Sequence, residues 1–188
     1  MSERAVAELV AQLSRIAYGD GFTEGLTPAQ WTALRYFARA NRFSRTVSAF
    51  AEFHATTRGT ASQTVKSLVN NGYLTRRRSD RDRRSVSFEL TETSRALLAR
   101  DPFERLVAAA AELSNTSRQA TCRGLDRMLR VLAEEQGRNA FGMCPNCKYL
   151  RTGVCCRSDL PEYQCDLVGE PLTETEIDQL CVNFSHAR

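Results

Sequence analysis

No apolar run in these 188 residues approaches the roughly 18 needed to cross a bilayer. Nor does the N-terminus combine a basic patch, an apolar block and a cleavage site, so the expected location is cytoplasmic, with no membrane partner. A Gly-rich phosphate loop is missing, and no Cys-His or Ser-His-Asp set is suggested by placement. Nothing marks a substrate pocket, and the expectation is that the protein is not an enzyme. Cysteine is scarce over most of the chain: of seven, one, Cys122, precedes residue 144. Its place on the apolar face of a helical segment reads as a small buried hydrophobe. His54 ends a short apolar helix over residues 46–54 and reads as a surface or capping residue. The length suits one globular domain with an appendage.

What the chain has in abundance is arginine in one short stretch. Residues 73–91 place Arg76, Arg77, Arg78, Arg81, Arg83 and Arg84 around Asp80 and Asp82, between Tyr73-Leu74 and the alternating Val86, Phe88 and Leu90. Alternation of period two is that of a half-buried strand, so the stretch reads as a hairpin with a cationic tip that repels itself unless an anion is near. Residues 57–72 read as the helix before it. Thr57 can cap its first turn, Ala61, Val65, Leu68 and Val69 recur at the spacing of a buried stripe, and Gly72 suits a left-handed terminator. The opposite face carries Arg58, Thr60, Ser62, Gln63 and Lys66. Arg and Gln side chains can reach base edges bidentately, whereas Ser and Thr suit phosphate oxygens. Helix, turn, helix and hairpin in this order predict a winged helix-turn-helix that reads double-stranded DNA.

The charge distribution agrees. Residues 27–100 hold 14 basic and 5 acidic groups, a net +9, while residues 1–26 carry −2 and residues 140–188 carry −3. Positive charge thus gathers on the unit expected to displace counterions from phosphates. The acidic tail is not a second DNA arm.

The wing resembles that of the MarR family of transcription regulators. Its Asp-x-Arg element and the Leu-Thr that follows stand here as Asp82, Arg84, Leu90 and Thr91. Residues 26–34, Leu-Thr-Pro-Ala-Gln-Trp-Thr-Ala-Leu, are similar to the family's second helix, and Gly72-Tyr73-Leu74 to its exit from the recognition helix. The resemblance covers roughly residues 1–138. It departs at Ser94, where the family usually has Gly. It implies a homodimer built from terminal helices on a pseudo-palindromic operator. The DNA-contacting set would be Arg58, Thr60, Ser62, Gln63, Lys66, Asp82, Arg83 and Arg84, with Arg84 in a minor groove.

The flanks fit a dimer on their own chemistry. Val6, Leu9, Val10, Leu13 and Ile16 share one face of a first helix. Leu97, Leu98, Phe103, Leu106, Val107 and four alanines follow around Pro102, which predicts a kink or restart. Cys122, Leu125, Leu129 and Leu132 form a third stripe. This is more apolar surface than a small winged unit can cover, and two-fold pairing would bury it.

From Phe141 the composition changes, because six cysteines fall in the last 45 residues. Such density marks a cysteine-dependent scaffold, and in a reducing cytosol disulfides are excluded as its explanation. Cys144-Pro-Asn-Cys147 aims two thiolates at one centre. Adjacent Cys155 and Cys156 diverge, so the expected ligands are Cys144, Cys147, Cys165 and Cys181, with Cys155 or Cys156 as substitute. Thr173-x-x-Glu176 is a capping box opening a short helix that would carry Cys181. One Cys-x-x-Cys knuckle and irregular spacing suit an iron–sulfur cluster better than zinc. Zinc and a metal-free thiol switch are the alternatives.

The expected fold is mainly α (α+β), a winged helix-turn-helix with flanking dimerisation helices and a small metal-binding C-terminal extension. Its segments are 1–26 (dimerisation helix), 27–91 (DNA-binding unit), 92–138 (dimerisation helices) and 139–188 (cysteine-rich extension). The expected function is transcription regulation controlled by an iron–sulfur cluster sensing redox, nitrosative or iron status. The alternative is a regulator answering a small aromatic ligand or thiol oxidation, with structural zinc in the tail.

Overall fold

The computed structural model of the protein describes residues 2–18, 24–78, 86–139, 141–153 and 162–187. Each helix of its centre starts on a threonine. Helix α2 (Pro28–Arg39) opens on a capping box in which the Thr27 hydroxyl accepts from the Gln30 amide and the Gln30 side chain accepts from the Thr27 amide, with Pro28 in the first turn. Thr46 caps α3 (Val47–Phe53), and Thr57 caps α4 (Arg58–Asn70). Gly72, at φ +74°, turns the chain out of α4 into the left-handed region that a side chain rarely enters.

Strands β1 (Leu74–Arg78) and β2 (Val86–Leu90) then pair antiparallel, Leu74 opposite Leu90 and Arg76 opposite Phe88. Alternation sends Phe88 and Leu90 inward, where Phe88 meets Phe37 at 5.9 Å between ring centroids. The expected cationic tip, with Asp82, Arg83 and Arg84, lies outside the described residues. The core closes over Trp31, Leu34, Phe37, Phe50, Val65 and Leu68, and the Phe88 amide donates to the Arg45 carbonyl at 2.9 Å, tying the hairpin to the corner between α2 and α3.

Helix α5 (Glu92–Leu98) follows Thr91 directly. Ser94, where the resembled family has glycine, is fully buried, and its hydroxyl donates back to the Thr91 carbonyl at 2.9 Å. The serine therefore satisfies itself inside the turn. The chain breaks at Pro102 and restarts as α6 (Glu104–Ala111), followed by α7 (Asn115–Glu135). With α1 (Glu3–Tyr18), these helices bury no described side chain completely. Leu9, Ile16, Leu129 and Leu132 are 53, 68, 68 and 49 % exposed. Cys122 is exposed with them. Its expected burial is corrected, because α7 stands away from the winged core of its own chain.

The tail is a small, separate β element. A single 3-10 turn (Cys144–Asn146) leads into an antiparallel sheet of β3 (Leu150–Thr152), β4 (Tyr163–Cys165) and β5 (Glu170–Leu172). Thr173 and Glu176 do form a capping box, opening α8 (Glu174–Ile177). That helix ends before Cys181, which was expected to ride on it. Instead the chain after Ile177 gives up helical bonding to pair with residues 39–41 of the winged unit.

Candidate DNA-reading face and cysteine centre

Helix α4 divides as its sequence requires, with Ala61, Val65 and Leu68 buried and Arg58, Thr60, Ser62, Gln63 and Lys66 exposed. Arg58, Ser62 and Lys66 follow one another at four-residue spacing, which stacks them along one face, with Gln63 beside them. Among the described residues, neither Arg58 nor Lys66 forms an ion pair, so their charge is available to a polyanion. Thr60 is more committed: its hydroxyl lies 2.9 Å from that of Thr57 and helps begin the helix. On the hairpin, Arg77 is held by Glu89 at 2.6 Å. Asp82, Arg83 and Arg84 lie outside the described residues.

The cysteines come together by pairing of the backbone around one knuckle. The Cys147 amide donates to the Cys144 carbonyl at 2.8 Å, closing the turn. Just before it, Gly142 pairs antiparallel with Cys181, whose amide donates to the Gly142 carbonyl at 2.9 Å. Just after it, Leu150 pairs with Cys165. Opposed residues of a ladder lie roughly 5 Å apart, so four cysteines from three separated segments gather at one end of the tail. Cys155 and Cys156 lie outside the described residues.

The four thiols influence one another. Burial pushes the Cys144 thiol up to about 11, and negative charge on Cys181, Cys147 and Cys165 adds to the rise. Cys181 is also raised, chiefly by burial, while hydrogen bonds from the Asn41 side chain and the Asn183 backbone pull the other way. Thiols of this kind are, in donor chemistry, the ligands a thiophilic metal or cluster takes. Among the described residues, no group of three or more His, Cys, Asp or Glu side chains is placed so that it could hold a metal ion. His186 lies opposite Cys147 in the chain pairing that closes the knuckle, and its ring packs on Phe184 at 4.5 Å.

Sequence reasoning missed the residues that seat the tail on the winged unit. Leu180 donates to the Arg39 carbonyl at 2.8 Å and accepts from the Asn41 amide at 2.9 Å. The Val182 amide donates to the Ser44 hydroxyl at 2.8 Å. Arg42 pairs with Glu170 at 3.0 Å, binds Glu176, and donates to the Pro171 carbonyl at 2.7 Å. Phe141 packs on Phe53 and Tyr36 at 5.3 and 6.4 Å. The clue was the stretch Ala-Asn-Arg-Phe-Ser at 40–44, which looks like a polar loop yet buries Asn41 and Ser44 to 1 and 0 % exposure. Burial of polar groups on that scale demands partners.

A cleft of about 500 Å³ lies between α2 and the α5–α6 connection. Arg35 crosses one wall, paired with buried Asp101 at 2.8 Å and lying over the Phe103 ring at 4.9 Å. Arg39, Tyr36 and Leu180 line it as well.

Two stacked helices, a recognition-type helix and a β hairpin define a winged helix protein. Residues 24–85 match the model of the MarR family. Three solved structures are similar over the fold. A MarR transcriptional regulator from Methanosarcina mazei Go1 is 19% identical, with a TM-score of 0.55 over 70% of this chain and 99% of its own. The S. aureus MepR–DNA complex gives 18% identity and 0.57 over 70% and 96%, and the regulator BldR from Sulfolobus solfataricus 20% and 0.55 over 69% and 99%. Nearly all of each relative is matched by part of this chain, leaving a share without counterpart there. No curated protein matches the chain. No helix among the described residues is long and apolar enough to cross a membrane.

Proposed function

We propose that the protein is a homodimeric DNA-binding transcription regulator whose operator affinity is set by a metal centre in the cysteine-rich tail, with an iron–sulfur cluster as the group the thiols suit best. The observation that carries this reading is the backbone pairing that brings the segments bearing Cys144, Cys147, Cys165 and Cys181 together beside the α2–α3 corner of the winged unit. A cluster there would supply a group whose charge and integrity answer to redox, nitrosative or iron status. The protein's part is to hold four thiolates, keep Cys144 and Cys181 away from solvent, and link their segment to the DNA-reading unit. Pairing of the exposed apolar faces of α1 and α7 with those of a second copy would remove them from water. Two copies of α4 would then present Arg58, Ser62, Gln63 and Lys66 to successive major grooves of a pseudo-palindrome.

The test has two arms. Protein purified without air from iron-replete cells should carry iron and sulfide, with broad absorbance near about 400 nm. Ser at any of the four positions should abolish that absorbance, and Cys122→Ser should not. Stoichiometric zinc without sulfide would leave a structural clamp and remove the sensor. An operator selected from a random duplex pool should lose about 1–3 kcal/mol of discrimination at one position with Gln63→Ala. Lys66→Ala should instead weaken all sequences and flatten the salt dependence by about one phosphate equivalent per half-site. If both substitutions leave affinity and salt slope unchanged, α4 is not the reading helix.

A second reading is favoured by the cleft beside Arg35, Arg39 and Phe103, where an aromatic acid could meet both a ring and cationic groups. In it the tail is a structural zinc clamp. Salicylate-class acids shifting operator affinity of the zinc-loaded protein would support it; indifference to such acids would reject it.

A further inference from the structure

Three hydrogen bonds cross from residues 180–182 of the tail to the α2–α3 corner, and one of them ends on a side chain that is bonded in turn to a neighbour in the corner. The Ser44 hydroxyl accepts from the Val182 amide at 2.8 Å and donates to Asn41 Oδ1, also at 2.8 Å. The Asn41 amide N–H and the Leu180 carbonyl fix the backbone on the other side of Cys181 at 2.9 Å. Cys181 is therefore held before and after by the winged unit.

The same short corner holds the wing. The Ser44 carbonyl accepts from the buried Tyr36 hydroxyl at 2.6 Å, which anchors it to α2. The next carbonyl, that of Arg45, accepts from the Phe88 amide of β2 at 2.9 Å. The residue after that, Thr46, is the N-cap of α3. A shift of Ser44 by a fraction of an ångström is thus felt at once by α3 and by the wing, because none of these buried groups can trade its partner for water.

We infer that Asn41 and Ser44 are positioning residues for Cys181, so that the winged unit completes the cysteine site, and that through Arg45 and Phe88 the same pair passes the state of the site to the wing. This rests on the metal reading of the tail. It goes further in assigning two residues outside the tail to the site and a route from it to DNA. Partners outside the ligands themselves are known to set ligand orientation, and losing one typically costs about 10-fold or more in metal affinity.

The experiment uses the full chain, reconstituted anaerobically with ferrous iron and sulfide, and in parallel with Zn²⁺ alone, each against chelator-stripped protein. In the wild type, stripping should speed hydrogen exchange at the Val182 amide and, with it, at the Phe88 amide. In Ser44→Ala and Asn41→Ala, the loaded protein should release metal to chelator about 10-fold faster, and Phe88 exchange should stop responding to loading. Arg100→Ala breaks an ion pair to Glu24 away from the tail and the corner and should change neither. Thermal unfolding of the winged unit separates this from general damage, because a merely structural role would lower its midpoint without erasing the loading response. A wild type in which Val182 answers stripping and Phe88 does not would overturn the route to the wing. A wild type that takes up metal, beside Ser44→Ala and Asn41→Ala chains that release it at the same rate, would overturn the positioning role alone. Wild-type protein that takes up neither probe would remove the metal reading and this inference together.

Discussion

In the winged unit Leu34, Phe37, Phe50, Leu68 and Phe88 meet in one dry core, whereas the described part of residues 141–187 buries just Cys144, Leu172, Leu180, Cys181 and Phe184. Leu180 moreover spends its burial on the winged core rather than on the tail's own. The first region can be held by apolar burial, worth about 25 cal/mol per Å². The second is too small for that and is held by pairing to its neighbour and by whatever its thiols bind. Stability in the two regions should therefore answer to different perturbations.

The largest effect should follow from Phe50→Ala. Phe50 is fully buried and packs on Tyr36 and Phe37 at 5.4 and 5.8 Å between centroids. Truncating a core aromatic costs about 3–5 kcal/mol, and denaturant unfolding should show it, with DNA binding lost in parallel. Because the tail leans on the α2–α3 corner, its amides should lose protection too. Leu172→Ala in the tail should not unfold the winged unit. A comparable global loss from that variant would break the distinction between the regions.

A smaller effect, confined to the tail, should come from Gly142→Ala. A Cβ on Gly142 would sit 2.7 Å from the Phe184 ring, inside any normal contact. The ring must move, and overpacking of this kind costs about 1–3 kcal/mol. Since Gly142 pairs with Cys181, the variant should hold metal less well while α4 and the hairpin keep their exchange protection. Unchanged metal retention would mean that the Gly142 pairing does not help to gather the thiols.

How far the sequence revealed each region follows from where the information is local. The caps Thr57 and Thr173, the left-handed exit at Gly72 and the inward alternation of Phe88 and Leu90 depend on residues a few positions apart, and the structure places them so. Cys122 was misjudged because an apolar helical face shows that something must cover it, not that the same chain does. Cys181 was put on a helix because the capping box marks a start and nothing nearby marks the stop. The stop is imposed by Arg39 and Asn41, some 140 positions away in sequence. Asn41, Arg42 and Ser44 were illegible for the same reason, since their partners are distant and their own stretch reads as an ordinary polar loop.

The smallest effect is expected at the surface of the junction, where Arg42 meets Glu170 and Glu176. Burial alone would raise the Glu176 carboxyl, but the Thr173 amide and Arg42 outweigh it and hold the carboxyl below its ordinary value. A carboxylate lowered on folding contributes stability that is complete above its unfolded pKa, about 4.3, and is lost as pH falls through the lower folded value. Seating of the tail should therefore be constant near neutral pH and weaken only below about pH 4. The Leu180 amide signal, followed by NMR on acidification, reports it directly. Arg42→Ala should move that loss to higher pH without abolishing it, since Thr173 still donates to Glu176 at 3.0 Å. Because the Arg42 side chain is 38 % exposed, added salt should screen part of the wild-type advantage. An acid transition at Leu180 that is identical in wild type and Arg42→Ala, at low and high salt, would leave the junction resting on the Ala40–Leu180 bridge and Ser44 alone.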